Sequence, residues 1–125
     1  MNKPLTPKEL TADREQLAKR LRQETSGDVM TDSASRGRYA TDASIYQAMP
    51  VAVMIPKTAD DIASAIQIAA DVGVPVLPRG GGTSQCGQTT GTSLVIDNTK
   101  YFRKLLNVDP EKAIAEVEPG IVLDH

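Results

Sequence analysis

Residues 51–84 read VAVMIPKTADDIASAIQIAADVGVPVLPRGGGTS, and the fold class turns on them. Val51-Ala52-Val53-Met54-Ile55 is a continuous apolar run of strand length closed by Pro56, the pattern of a parallel strand buried on both faces. Thr58-Ala59-Asp60-Asp61 then starts a helix. It offers a hydroxyl N-cap, an acidic side chain three residues on that reaches back to the cap amide, and negative charge at the positive end of the helix dipole. In that helix Asp60, Ser64, Gln67 and Asp71 fall on one face and Ile62, Ala65, Ile66 and Ala69 on the opposite one, so the spacing predicts that the second set faces the core. Gly73 ends the helix at the position where left-handed backbone is needed. Val74-Pro75-Val76-Leu77 reads as a second short strand. Strand, helix and strand within about 30 residues make a βαβ unit, and ligands of such sheets gather beyond the carboxyl ends of the strands.

The segment that falls there is Pro78-Arg79-Gly80-Gly81-Gly82-Thr83-Ser84. Consecutive glycines admit positive φ and close approach of backbone to a ligand, so successive N–H groups can converge on an anion. Thr83 and Ser84 add hydroxyl donors, and Arg79 adds charge or braces the loop. These are the groups a diphosphate needs. Gly87, Gln88, Thr89, Thr90 and Gly91 prolong the polar stretch before a third strand, Ser93-Leu94-Val95-Ile96-Asp97. The nucleotide-hydrolysing P-loop requires a Gly-Lys pair, and the chain contains none. The dinucleotide fingerprint Gly-x-Gly-x-x-Gly follows the first strand and opens a helix, whereas these glycines follow the second strand and lead to another strand. At this level the identity of the phosphate ligand stays open.

Outward from this centre the pattern is thinner. Thr6-Pro7-Lys8-Glu9 is a capping box that predicts a helix to about Gln23, with Leu10, Leu17, Ala18 and Leu21 on one stripe and Glu15 placed to pair with Lys19. From Thr25 to Met49, Ser, Gly, Asp and Thr cluster without sustained period, so an extended, loop-rich segment is expected, in which Arg36, Arg38, Tyr39, Asp42 and Tyr46 stand out. Near the end, Asp109-Pro110-Glu111-Lys112 reads as a turn between strands and Ala113-Ile114-Ala115-Glu116-Val117 as one alternating strand.

Composition narrows the partners. The 125 residues include 24% charged residues at a net charge of -2, so no basic field draws the chain to nucleic acid or an anionic membrane surface. The apolar runs are far shorter than the roughly 20 residues that span a bilayer. One cysteine, Cys86, and one histidine, His125, exclude an internal disulfide and a Cys/His metal cluster, and they fit a cytoplasmic setting. No metal site is expected. With 3% aromatic residues and no Trp, the core must be aliphatic, which favours helix-covered strands.

The order Tyr39-Ala40-Thr41-Asp42-Ala43-Ser44, Pro50 to Pro56, the helix from Thr58 to Val72, and Pro78 to Ser84 resembles the FAD-binding domain of the vanillyl-alcohol oxidase (PCMH) type. Within it the chain is most similar to the FAD-linked oxidase branch of D-lactate, glycolate and D-2-hydroxyglutarate dehydrogenases. The resemblance covers residues 30–125 and includes Val117-Glu118-Pro119-Gly120-Ile121-Val122-Leu123-Asp124, similar to the family's strand and turn that return to the flavin. It implies an α+β fold of two lobes with FAD between them. The first lobe is a small parallel sheet with helices, and this chain would add only the opening strands of the second, antiparallel lobe.

The implied activity is oxidation of a small-molecule 2-hydroxy acid by hydride transfer to flavin, in an enzyme often fused to or partnered with an iron–sulfur domain or subunit. Expected cofactor-binding residues are Pro78, Arg79, Gly80, Gly81, Gly82, Thr83, Ser84, Gly87 and Gln88, with Gly120 added by the resemblance. No catalytic residue is assigned, because the base that takes the hydroxyl proton is expected outside this chain. Relatives with covalent flavin carry a His in or beside the loop, where this chain has Gly-Thr-Ser-Gln, so non-covalent FAD is implied. Cys86 is expected to behave as a small hydrophobe without a redox or covalent role. The finish inside Ile121-Val122-Leu123 suggests an N-terminal fragment, with residues 1–29 as helix and linker and 30–125 as an incomplete FAD-binding domain. The alternative is a non-catalytic fragment or interaction module that does not retain flavin by itself.

Overall fold

The computed structural model describes residues 7–124. The expected cap at Thr6, the stripe residue Leu10 and the terminal His125 lie outside what is described. In chain order the elements are α1 (Pro7–Glu24), β1 (Asp28–Met30), α2 (Ser33–Arg38), β2 (Ala52–Ile55), α3 (Ala59–Val72), β3 (Val76–Arg79), β4 (Leu94–Asp97), β5 (Leu105–Asp109) and β6 (Ile114–Val117). Two sheets result, one in the order β1-β2-β4-β3 and one a β5-β6 pair.

The β2-α3-β3 unit forms as the apolar runs require, but its strands are not neighbours. β4 lies between them and pairs in parallel with both, Ala52 opposite Leu94 on one side and Val76 opposite Leu94 on the other. This central strand is buried along its whole length. On one side of the sheet Ala52, Met54, Leu94 and Ile96 pack with Leu17 and Leu21 of α1 and with Ala65, Ile68 and Ala69 of α3. That cluster is wholly aliphatic apart from the Met54 thioether, which is how a chain so poor in rings closes a core.

Several local readings are corrected. The inward face of α3 is Asp61, Ala65, Ile68 and Ala69, while Ile66 is 49% exposed. The helix is turned by its own cap. Asp61 points inward and accepts N–H bonds from Ser26 (2.8 Å), Lys57 (3.0 Å) and Thr58 (3.2 Å), together with the Ser26 hydroxyl (2.7 Å). Residues four, seven and eight positions later follow it inward. The expected polar face does form, with Gln67 donating to Asp71 at 2.9 Å. The second strand begins at Val76, because the Val74 amide still bonds back to the Ala69 carbonyl (2.9 Å) in the left-handed Gly73 termination. It runs on through Pro78 and Arg79, and the missing proline N–H is tolerated because β3 is an edge strand.

The segment 25–49 is not without structure. β1 pairs antiparallel with β2, and α2 is capped by Asp32, which accepts the Ser35 N–H at 2.8 Å. Elements of three and six residues are too short to register a period. On α1, Leu17, Ala18 and Leu21 are buried as expected, but the ion pairs join Arg20 to Glu24 and Asp71, not Glu15 to Lys19.

The β5-β6 hairpin is antiparallel, with Ile114 opposite Asp109. Ala113 has φ 54° and belongs to the turn, so the alternating strand starts one residue later than its sequence suggested. Its alternation buries nothing within this chain: Leu105, Leu106, Val108, Ile114 and Val117 are all exposed.

Asp61 yields the first expected result. Burial alone would raise its carboxyl, yet the hydrogen bonds from Ser26, Lys57 and Thr58 outweigh it and hold the group below the ordinary aspartate value. Its contribution is therefore present above the unfolded value and is lost as pH falls through the lower folded value. Asp61→Ala should cost about 3 kcal/mol at neutral pH, since it leaves several N–H groups without their acceptor. Urea midpoints should show the gap from wild type narrowing at pH 3, and a gap that stays constant with pH would contradict the assignment.

Candidate functional site

The carboxyl ends of β3 and β4 lie side by side, Arg79 opposite Asp97, and the glycine bend leaves from there. Gly82 has φ 68°, a left-handed residue of the kind an anion-binding nest uses, within a run of glycines. Among the described residues, the amides of Gly81, Gly82, Thr83 and Ser84 donate to no backbone carbonyl. Successive N–H groups free of internal partners at the strand ends are what a doubly charged group can use.

Below the bend the polar groups are tied together. The Arg79 Nη1 donates to the carbonyls of Thr89 (3.1 Å) and Tyr39 (3.3 Å), and its guanidinium carbon lies 5.3 Å from the centroid of the Tyr39 ring. The Tyr39 hydroxyl donates to Asp97 Oδ2 at 2.6 Å, while Asp97 Oδ1 accepts from the amide and hydroxyl of Thr99. Burial, reinforced by the Asp97 bond, pushes the Tyr39 phenol up to about 12, so it remains a donor at neutral pH. Asp42 accepts from the Ser44 amide and the Thr89 hydroxyl, which fixes the 39–46 turn against the far end of the bend.

The other expected residues divide. Gly80 lies against the Pro119 carbonyl, so the glycine bend and the Pro119-Gly120 turn meet although they are far apart in sequence. Gly120 is buried, and its amide donates to the Phe102 carbonyl at 2.7 Å. Gly87, with φ 80°, is packed under the Tyr46 ring. The Gln88 carbonyl accepts the Cys86 amide at 3.2 Å, so that side chain serves its own turn. Pro78 is exposed on the sheet edge and Cys86 is an exposed free thiol.

Sequence reasoning noticed Tyr39 without giving it a place at the site, and it missed Asp97 and Asn98. Asn98 is 7% exposed, and its Oδ1 has no hydrogen-bond partner, an acceptor left open at the end of the central strand. The signal for this group is positional: Asp97 and Asn98 directly follow the most apolar strand. A concavity of about 410 Å³ runs along α1 between Arg14 and Thr31 and is separate from the bend.

Residues 50–125 match the family model of the FAD binding domain. The chain belongs to this family. The matched stretch holds the whole bend, β4 and the Pro119-Gly120 turn, and FAD is the cofactor of this family. D-2-hydroxyglutarate dehydrogenase of Escherichia coli is 34% identical over 103 residues, covering 80% of this chain and 10% of that protein. Glycolate oxidase subunit GlcD of Bacillus subtilis is 38% identical over 104 residues, covering 79% of this chain and 22% of that protein. The chain thus spans between about a tenth and about a fifth of the length of these relatives.

Among solved structures, the xylooligosaccharide oxidase of Myceliophthora thermophila is similar with a TM-score of 0.67 at 26% identity over 88% of this chain and 24% of that one. The 4-ethylphenol oxidase of Gulosibacter chungangensis reaches 0.69 at 19% identity over 97% of this chain and 24% of that one, a likeness of fold. The two-lobed α+β class expected from the sequence is borne out, with the β1-β2-β4-β3 sheet and its helices as one part and the β5-β6 hairpin as another. The chain is part of an FAD-dependent oxidoreductase family. Among the described residues no group of three or more His, Cys, Asp or Glu could hold a metal, and no helix is long and apolar enough to cross a membrane.

Proposed function

We propose that this chain holds the pyrophosphate of FAD, non-covalently, in an oxidoreductase that acts on a small-molecule 2-hydroxy acid. One observation carries the reading: the run of amides from Gly81 to Ser84, free of backbone partners, at the carboxyl ends of adjacent parallel strands. In this reading the amides of the bend and the hydroxyls of Thr83 and Ser84 receive the phosphate oxygens. The Pro119-Gly120 turn forms the neighbouring wall, and Asn98 Oδ1 accepts a donor from the bound molecule. Gly87 and Gln88 act through the shape of the loop, and Pro78 through the exit angle of β3.

FAD, when bound, supplies the two-electron acceptor that takes a hydride from the carbon bearing the substrate hydroxyl. The hydroxyl proton goes to a base beyond this chain, and none of these residues is given that role. The 2-hydroxy acid class rests on the relatives that the chain matches above 30% identity. Non-covalent attachment rests on the absence of His from the bend, where Gly82-Thr83-Ser84-Gln85 stands. In the same reading residues 30–125 form the FAD-binding unit, 1–29 precede it as helix and linker, and the protein works in the cytoplasm. An iron–sulfur partner, if the enzyme uses one, brings its own ligands.

A second reading is favoured by the exposed apolar side chains of β5 and β6: the chain keeps the bend but does not retain flavin by itself. The visible spectrum separates the two. Yellow colour in the purified 125-residue chain supports the first reading. A colourless chain beside a yellow longer protein supports the second, and colourless material from both, even with FAD added, removes the cofactor reading altogether.

A further inference from the structure

We propose that Arg79 is a positioning residue that holds the glycine bend in its binding shape from beneath, and that its charge is not a phosphate ligand. The inference rests on the FAD reading above. Arg79 is the last residue of β3, so its Cα is fixed by the ladder to β4, opposite Asp97. Its side chain turns back under the bend. A Cβ built on Gly82 would fall 2.7 Å from the guanidinium carbon, so the guanidinium occupies the space a side chain at position 82 would need. The left-handed Gly82 and the placement of Arg79 therefore go together: a side chain at position 82 would push the guanidinium off the two carbonyls it bridges.

From this position Arg79 joins separate stretches of chain. Nη1 bridges the Tyr39 and Thr89 carbonyls, one on each side of the bend, and the planar group lies over the Tyr39 ring. Tyr39 is held in turn by Asp97, and Thr89 by Asp42. A planar, forked donor suits this arrangement and an ammonium does not. Lys has donors enough for both carbonyls, but its ammonium has no plane to lie over the ring while it reaches them. A phosphate ligand would instead present its fork outward to solvent and would be replaced tolerably by any cation.

The test compares Arg79→Lys and Arg79→Met in the full chain, with Gly81→Val as the reference for the cofactor site. FAD affinity is measured across salt concentration, and hydrogen exchange of the hydrogen-bonded Cys86 and Thr90 amides is measured without FAD. If Arg79 positions the bend, both Arg79 variants weaken FAD by about tenfold or more. Lys gives no rescue, exchange of the Cys86 and Thr90 amides accelerates in both, and the salt dependence of FAD binding keeps its slope. If Arg79 pairs with phosphate, Lys restores affinity, exchange is unchanged, and Met flattens the salt dependence. Any of these last three outcomes overturns the proposal. Failure of the underlying cofactor reading is seen separately, as full FAD retention in Gly81→Val.

Discussion

Gly81→Val is expected to strip FAD from the protein while leaving its fold intact. A Cβ at this position meets only the Thr83 methyl, at 3.7 Å, and the residue does not need left-handed backbone, so valine fits the bend in the absence of ligand. What valine cannot do is let phosphate oxygens come within hydrogen-bond distance of the neighbouring amides. Losing one or two charge-assisted bonds of roughly 1.5–3 kcal/mol each weakens FAD by about 100-fold or more. Flavin absorbance after gel filtration, read beside far-UV circular dichroism and the thermal midpoint, would show the loss with both structural measures unchanged. Undiminished flavin in the variant would place the cofactor elsewhere.

Gly120→Ala should have the opposite signature, with folding affected first. Here the added Cβ would run into the Asn98 carbonyl oxygen and lie 2.6 Å from the Phe102 carbonyl oxygen, both of them backbone atoms. Neither can swing aside as a side chain does. The Gly120 amide also gives up a 2.7 Å bond to Phe102 if the turn moves away. Overpacking against backbone makes about 3 kcal/mol the expected loss, measured as a shifted urea midpoint with unchanged slope. Gly37→Ala is the control. That glycine lies in α2 with nothing within 4 Å of the added carbon, so the change should be neutral or slightly stabilising.

These contrasts show which parts of the molecule were legible in the sequence. The α3 cap and its glycine stop were readable, because Thr58, Asp61 and Gly73 each have one local use. The strand core was readable because continuous apolar runs leave few alternatives. Where β4 inserts was not, since strand order depends on contacts between residues 42 apart and no local pattern encodes them. The face of α3 was misread at Ile66 for a related reason. Asp61 is a polar residue whose inward position is set by Ser26, Lys57 and Thr58, so hydropathy assigns it outward.

The site was partly visible. The glycine run announced a backbone feature, and Tyr39 stood out without a partner to explain it. Asp97 and Asn98 gave no motif, because their meaning comes from lying where the central strand ends. The β5 strand was legible only through the turn that follows it, as its apolar side chains stay largely exposed and follow no buried alternation.

Because the central strand of the main sheet is also the last of its strands to be synthesised, the sheet has no spine until the ribosome has passed Asp97. Before then β2 and β3 have no common neighbour. Once Leu94–Asp97 slots in, both ends of the glycine segment are clamped in adjacent ladders in the same event. Completion of the sheet and shaping of the loop are thus one cooperative step, and a nascent chain stalled before residue 94 should remain protease-sensitive throughout.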